Sequence, residues 1–228
     1  MSYEDLRRRL PGFLERYLWH FEHAMEEAVG KFAGSLAEGA RVLDAGAGEG
    51  KYRSYFRQTR YTGIDLAVGD RAWDYSRLDV LGDLSALPFA SGTFDAAINI
   101  VTLEHVSDPA GALREIGRTI RPGGRLLLVV PQDWEVHQAP HDYFRYTRHG
   151  VHHLLEAAGF ESILVEPGGG YFRLMGRRML NGIAFFPGVW AIPAILLLAP
   201  AGLLFPLFDR LDRERNFTLG YLCTATKR

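Results

Sequence analysis

One cysteine, Cys223, is all this chain carries. An intrachain disulfide is therefore impossible and a zinc-cysteine cluster is excluded, so a reducing cytoplasm fits. Surplus charge is missing too. With 26 basic against 27 acidic side chains the formal net charge is −1, and no global positive field draws the protein to nucleic acid. There are no internal repeats and no low-complexity linkers. The opening stretch, "MSYEDLRRRLPGFLERYLWHFEHAMEEAVGKF", is charged throughout and holds no apolar core of the length a secretory signal needs. From Ile183 to Phe208, "IAFFPGVWAIPAILLLAPAGLLFPLF", it is charge that is absent altogether.

What is present suits a soluble enzyme of one large domain or a domain with an appendage. The 228 residues are 47% hydrophobic, enough for a substantial core, and 23% charged. Phe13, Leu14, Tyr17, Phe21, Met25, Val29 and Phe32 recur at helical spacing and predict one amphipathic helix over about 13–36. "RVLDAG" reads as a buried strand, "KYRSYFRQT" as the helix after it, "YTGIDLA" as a second strand ending in Asp65, and "FDAAINIV" as a third. "DPAGALREIGRTI" is a helix with Asp108 as N-cap and Pro109 at its first position. "RPGGRLLLVVP" is a turn and a buried strand, "HGVHHLLEAAGF" a helix stopped by Gly159, and "ESILVEP" another strand. Strands alternating with helices at this spacing imply βαβ units and an open, doubly wound sheet, which binds ligands beyond the carboxyl ends of its strands.

At that edge stands "VLDAGAGEGKY", Val42 to Tyr52. A pyrophosphate wants backbone N–H donors and no nearby anion. This turn carries Asp44 and Glu49, which repel a pyrophosphate and attract an ammonium or sulfonium. Its glycines, Gly46, Gly48 and Gly50, are spaced G-x-G-x-G, one residue short of the dinucleotide fingerprint. Asp65 ends the next strand, 19 residues after Gly46, where a carboxylate accepts both hydroxyls of a ribose. A ligand with a nucleoside and a cationic amino-acid end satisfies all of this, and S-adenosylmethionine has both.

From about Arg41 to Phe160 the sequence resembles the class I S-adenosylmethionine-dependent methyltransferases, within them the group called type 11. The resemblance lies in "VLDAGAGEGKY", "YTGIDLA", "GDLSALPFASGTFDAAINIVTLEHVSDP", "LREIGRTIRPGGRLLLVVP" and "LLEAAGF", in that order. It implies a Rossmann-like, doubly wound α/β sheet of seven strands, mostly parallel, whose last strand, "NFTLGYLCTATKR", runs antiparallel. An N-terminal helical cap over 1–38 would precede the methyltransferase domain, 39–228, with an apolar helical hairpin inserted at about 172–215. The resemblance further implies that Asp44 and the Gly46–Gly50 turn border the methionine part of the cofactor. Asp65 would hold the ribose with Leu66 beside the adenine, Asp83 and Leu84 would meet the adenine amino group and ring, and Asn99 would lie near the sulfur.

Methyl transfer is an in-line displacement, so the enzyme mainly positions donor and acceptor; an oxygen acceptor of high pKa also needs a general base. Glu104 and His105, in "TLEHV", and His137 and His141, in "PQDWEVHQAPHDYFRYTRHG", are the candidates. Trp134, Asp142, Tyr143, Arg145 and Tyr146 make the latter stretch polar and aromatic, as an acceptor site for sugars or rings would be. His137 and His141 stand four apart, but Pro140 lies between them and no third ligand is evident, so no metal is expected.

The apolar stretch has prolines at 187, 193, 200 and 206, which break any single straight helix. Two arms of roughly a dozen residues, each about 18 Å long, would be too short to cross about 30 Å of hydrocarbon. Residues 183–208 are instead expected to dip into one leaflet, form a homodimer face, wall an acceptor site or pack as an ordinary buried helix pair, flanked by Arg173, Arg177, Arg178, Arg210, Arg213 and Arg215.

The reading is a cytoplasmic methyltransferase, peripheral on the inner face of the membrane if the apolar stretch dips. Its acceptor is a small or lipid-linked molecule, glycans and quinone-like rings included, and not nucleic acid, since no "N-P-P-Y"-like loop follows Ile98. A nicotinamide-dependent oxidoreductase is disfavoured by the acidic turn. The rival of another class is a catalytically silent S-adenosylmethionine-binding module that recruits a partner or membrane through the hairpin.

Overall fold

The computed structural model describes residues 12–70 and 72–228. They divide into two compact units. One takes in the described part of Met1–Ala24 with Pro167–Leu219; the other is Met25–Glu166 with Gly220–Arg228.

The second unit is built on one seven-stranded sheet in the order β3-β2-β1-β4-β5-β7-β6. Its strands are β1 (Arg41–Ala45), β2 (Arg60–Asp65), β3 (Val80–Leu81), β4 (Phe94–Ile100), β5 (Ile120–Pro131), β6 (Phe160–Pro167) and β7 (Gly220–Lys227). β1 pairs parallel with β2 and β4, β2 with β3, and β4 with β5. β7 runs antiparallel to β5, with Leu128 opposite Cys223. The expected sheet, last strand included, is the observed one. β1 and β4 are buried almost end to end because helices cover parallel strands on both faces, which is why "RVLDA" and "FDAAINI" read as apolar runs without alternation. Leu43, Ile64, Ala97, Leu113, Ile116, Leu126 and Phe160 share one core cluster; each large side chain so buried is worth about 1.5–3 kcal/mol.

The flanking helices end where their chemistry says. The helix Pro109–Thr119 opens with Asp108 Oδ1 accepting from Gly111 N at 2.9 Å. Arg148–Ala157 opens with Thr147 Oγ1 accepting from Gly150 N, and Gly159, at φ +82°, turns the chain into β6. Two expectations fail. "KYRSYFRQT" makes only a 3-10 turn, Arg53–Phe56, closed by i→i−3 bonds such as Tyr55 N to Tyr52 O. The two-residue strand β3 went unseen, being too short to show a period. The helix expected over 13–36 is interrupted at Trp19, giving α1 (Gly12–Leu18) and α2 (His20–Gly34). Two i→i−4 bonds continue across the break.

The first unit holds α1, α5 (Tyr171–Gly182) and α6 (Ala191–Leu204), where α3 and α4 denote Pro109–Thr119 and Arg148–Ala157. α5 and α6 cross at two glycines. A Cβ on Gly176 would stand 2.8 Å from the Gly202 carbonyl, and one on Gly202 would stand 2.7 Å from Leu180 Cγ. Only Ala194 and Gly202 of α6 are buried. At the N-terminus of α5, Asp209 accepts from Gly170 N and Arg173 N, and Asp212 from Tyr171 N, matching two carboxylates to a positive helix end. Burial, helped by the charge of Arg173, holds the His20 imidazole down at about 3 against its hydrogen bond with the Gly168 carbonyl, and Arg177 meets Glu22 at 2.7 Å.

The hairpin is therefore drawn differently from the expectation. Its arms are the basic α5 and the apolar α6, not two halves of 183–208. The prolines spare the helix: Pro193 lies in the first turn of α6, where the missing N–H would have had no partner, and Pro206 opens a new 3-10 turn. Only Pro200 interrupts the ladder. Helical structure runs from Gly188 to Leu211, 24 residues, or about 36 Å at 1.5 Å per residue. By length and composition that is enough to cross a membrane.

Candidate active site

β1 and β4 lie side by side, and from them the strand order departs in opposite directions; the crevice at such a switch is where doubly wound sheets bind ligands. At its rim Asp44 is 1% exposed and accepts from the Tyr61 hydroxyl at 2.5 Å. Burial pushes its carboxyl up to about 7, with Tyr61 opposing the rise and Asp65 adding to it. Gly46 follows at φ +89°, and a Cβ there would meet Thr102 Cγ2 at 2.2 Å. Thr102 Oγ1 in turn donates to the Gly46 carbonyl. No side chain fits this position, for reasons of both conformation and space. Gly48, at φ +52°, donates its N–H to Asp65 Oδ2 at 2.9 Å. Asp65 Oδ1 accepts from Ala67 N at 2.8 Å, so the carboxylate is held rigidly opposite the turn.

The remaining cofactor candidates are placed as follows. Leu66 is 48% exposed and Leu84 6%. Asp83 is exposed and its Oδ1 caps the next turn through Ser85 N and Oγ. Asn99 is fully buried: its Nδ2 donates to the Ala45 carbonyl at 2.6 Å, while its Oδ1 has no hydrogen-bond partner. Gly50, at φ +73°, closes the turn with a bond to Ala47 O. Glu49 is engaged elsewhere, accepting from Asp74 N at 2.9 Å. Sequence reasoning missed Trp73, whose ring lies 3.4 Å from where a Gly48 Cβ would stand. An isolated tryptophan in a loop gives no periodic signal; the loop is tied down by Tyr75, whose hydroxyl accepts from Gly69 N, and by the bond from Asp74 N to Glu49.

A buried carboxylate with a raised pKa, a glycine turn that admits a ligand to the backbone, a rigid acid at the next strand end and an orphaned buried Asn99 oxygen fit S-adenosylmethionine. Asp44 can neutralise its cationic end, and Asp65 can take a ribose hydroxyl on its second lone pair. Bound there, the cofactor supplies an activated methyl group on sulfonium.

The second set of candidates gathers beyond β4 and β5. Glu104 and His105 sit on the 3-10 turn Leu103–His105 directly after β4. Glu104 is 1% exposed, and burial pushes its carboxyl up to about 8. Its main-chain carbonyl accepts from Tyr143 N and Phe144 N, drawing the 131–147 segment over it. His137 arrives on that segment, its Nε2 3.1 Å from His105 Nε2. His141 is exposed, with Nδ1 3.1 Å from the Tyr143 hydroxyl, and does not join this pair through its ring. Among the acceptor candidates, Asp142 and Arg145 form a two-pronged ion pair at 2.6 and 2.8 Å, which holds the Asp142 carboxyl well below the usual range. Arg145 also donates to the Trp134 and Glu135 carbonyls. Tyr146 is 5% exposed and donates to the Leu103 carbonyl. These three brace the segment from within; Trp134 is half-buried and Tyr143 is 48% exposed.

A sequence profile described as a methyltransferase domain matches residues 17–165, and the chain belongs to that family. A "Probable S-adenosylmethionine-dependent methyltransferase" of Mycolicibacterium smegmatis is 31% identical over 187 residues, 76% of this chain and 70% of the relative. The crystal structure of the cyclase SpnF superposes with a TM-score of 0.57 at 26% identity, over 90% of this chain and 80% of that one. A 1,6-didemethyltoxoflavin-N1-methyltransferase of Burkholderia thailandensis, bound to S-adenosylhomocysteine, shares the fold at 24% identity, TM-score 0.57, over 97% and 87%. Relatives named as tRNA, ubiquinone-biosynthesis and fatty-acid methyltransferases match over shorter stretches, and the chain spans only 19–41% of their length. The protein is a class I S-adenosylmethionine-dependent methyltransferase.

Proposed function

We propose that the enzyme methylates a small, apolar or lipid-linked acceptor, quinone-like rings among them, while docked on the inner face of a membrane. One observation carries this reading. In the helical run Gly188–Leu211 every residue up to Phe208 is uncharged, yet only 11% of the apolar stretch is buried. Trp190, Ile192, Leu196, Leu197, Leu207 and Leu211 are each between 62% and 73% exposed. A helix without a polar face belongs in a core or in lipid. Charge favours a lipid leaflet: from Tyr171 to Phe217 six arginines stand against three acids, a net +3 in a chain of −1. Arg210 and Arg213, at the end of the run, are exposed. Anionic headgroups complement such a surface.

Length alone would allow a crossing, but connectivity argues against one. The chain leaves β6 and returns to β7, neighbours in one sheet, so a single crossing would put them on opposite sides. A helix lying in the interface avoids this. Near-neutral total charge supports a small acceptor over nucleic acid, and a ubiquinone biosynthesis O-methyltransferase stands among the relatives.

In the transfer itself the acceptor attacks the methyl carbon, the carbon–sulfur bond breaks, and its electron pair stays on sulfur. A hydroxyl acceptor also loses its proton, and Glu104, His105 and His137 gather just beyond the end of β4, where that proton would leave. Sedimentation with vesicles tests the docking. The protein should pellet with phosphatidylglycerol vesicles and less with phosphatidylcholine; no pelleting with either, or a stable dimer through this face, overturns it.

A further inference from the structure

His105 and His137 meet edge to face, ring centroids 4.7 Å apart, with their Nε2 atoms 3.1 Å apart. The other nitrogen of each ring is committed. His105 Nδ1 lies 2.6 Å from the His141 carbonyl; His137 Nδ1 lies 3.0 Å from the Glu135 carbonyl and 3.5 Å from the Asp142 carboxylate. These oxygens only accept, so the proton of each neutral ring sits on Nδ1 and both Nε2 atoms present lone pairs. Two lone pairs then face each other. The Glu104 carboxylate completes the group, with Oε1 3.8 Å from His105 Nε2 and neither buried oxygen receiving a hydrogen bond. One such atom from each of the three residues falls within 4.8 Å of the others.

We propose that Glu104, His105 and His137 bind one divalent transition-metal ion of the zinc class, through a carboxylate oxygen and the two Nε2 nitrogens. A cation between them takes one lone pair from each of the three residues, which a hydrogen bond between the two rings alone does not. Zinc takes nitrogen and oxygen at about 2.0–2.1 Å, which places the corners of a tetrahedron about 3.3 Å apart; 3.1 and 3.8 Å lie either side. Carbonyls that hold each Nδ1–H are the outer contacts that fix the tautomer of a ligating histidine. Two imidazoles and one carboxylate select zinc or a similar ion over magnesium or calcium, and three protein ligands leave a position open. Two features of the sequence argue against a metal: Pro140 between His137 and His141, and no third ligand beside them. The fold supplies Glu104 and His105 in their place and leaves the His141 ring out.

The site stands without the methyltransferase reading; its role rests on it. An acceptor hydroxyl entering the open position would ionise more readily, its proton passing to solvent.

Zinc titrated calorimetrically into the chelator-treated full chain, near neutral pH and without cofactor, is the test. One ion per chain should bind with micromolar affinity or better, at least tenfold weaker in His137→Ala and Glu104→Gln and unchanged in His153→Ala. No saturable binding to the wild type, or equal binding by His137→Ala, overturns the site. Should the variants fail to melt cooperatively, histidine 15N spectra of the wild type decide. One equivalent of zinc must shift the Nε2 signals of His105 and His137, and silence there overturns it. S-adenosylmethionine binding, measured separately, keeps the failure of the metal site distinct from failure of the methyltransferase reading.

Discussion

With its carboxyl pushed up to about 7, Asp44 is partly protonated at neutral pH before the cofactor arrives. The folded state then holds this proton more tightly than the unfolded chain. Its contribution to stability is full below the ordinary carboxylate pKa and is lost as pH rises toward 7. A cationic ligand reverses the preference, since it needs the ionised form. Affinity for S-adenosylmethionine should therefore rise about tenfold from about pH 6 to about pH 8, following the ionised fraction, and Asp44→Asn should bind weakly at every pH. Calorimetry at the two ends of that range decides; a flat wild-type profile would remove Asp44 from the cofactor's cationic end. Asp44 and Gly46 were legible because strand end and turn are contiguous in sequence. His105 and His137 were singled out, but not as a pair: 32 residues separate them, and no spacing rule spans a sheet edge.

Among the elements, α3 was the clearest in advance, because its stop and start signals are local. Asp108 precedes Pro109, and the carboxylate does cap Gly111 N. Asp108→Ala should cost about 1 kcal/mol, read as a lowered denaturation midpoint with unchanged slope; no change would mean that solvent replaces the cap. The same helix carries a brace that no local rule suggests. Arg118 bonds Glu115 at 2.8 Å and also the Leu87 and Phe89 carbonyls, pinning the loop that leads into β4. The segment after Gly50 shows the opposite case. Its composition is helical, yet it forms only a 3-10 turn.

For the whole molecule, the decisive feature is an apolar helix without a cover among the described residues. Leu196→Glu with Leu197→Glu, at side chains 71% and 73% exposed, should leave the melting temperature nearly unchanged. The pair should abolish pelleting with phosphatidylglycerol vesicles. A loss of folding instead would show that these leucines are core, and membrane docking would fail with it.

By itself the sequence determined the class of sheet, doubly wound with an antiparallel last strand, the glycine turn and the acids beside it. Each depends on contiguous residues whose backbone preferences and charge act locally. Tertiary structure alone decided which histidines meet, that Asp142, Arg145 and Tyr146 turn inward, and that the apolar stretch is one arm of a hairpin whose other arm is basic. The reason is common to all three. Partners far apart in the chain are chosen by the sheet and by close helix crossings such as Gly176 on Gly202, and the cost of burying a group depends on what arrives opposite it.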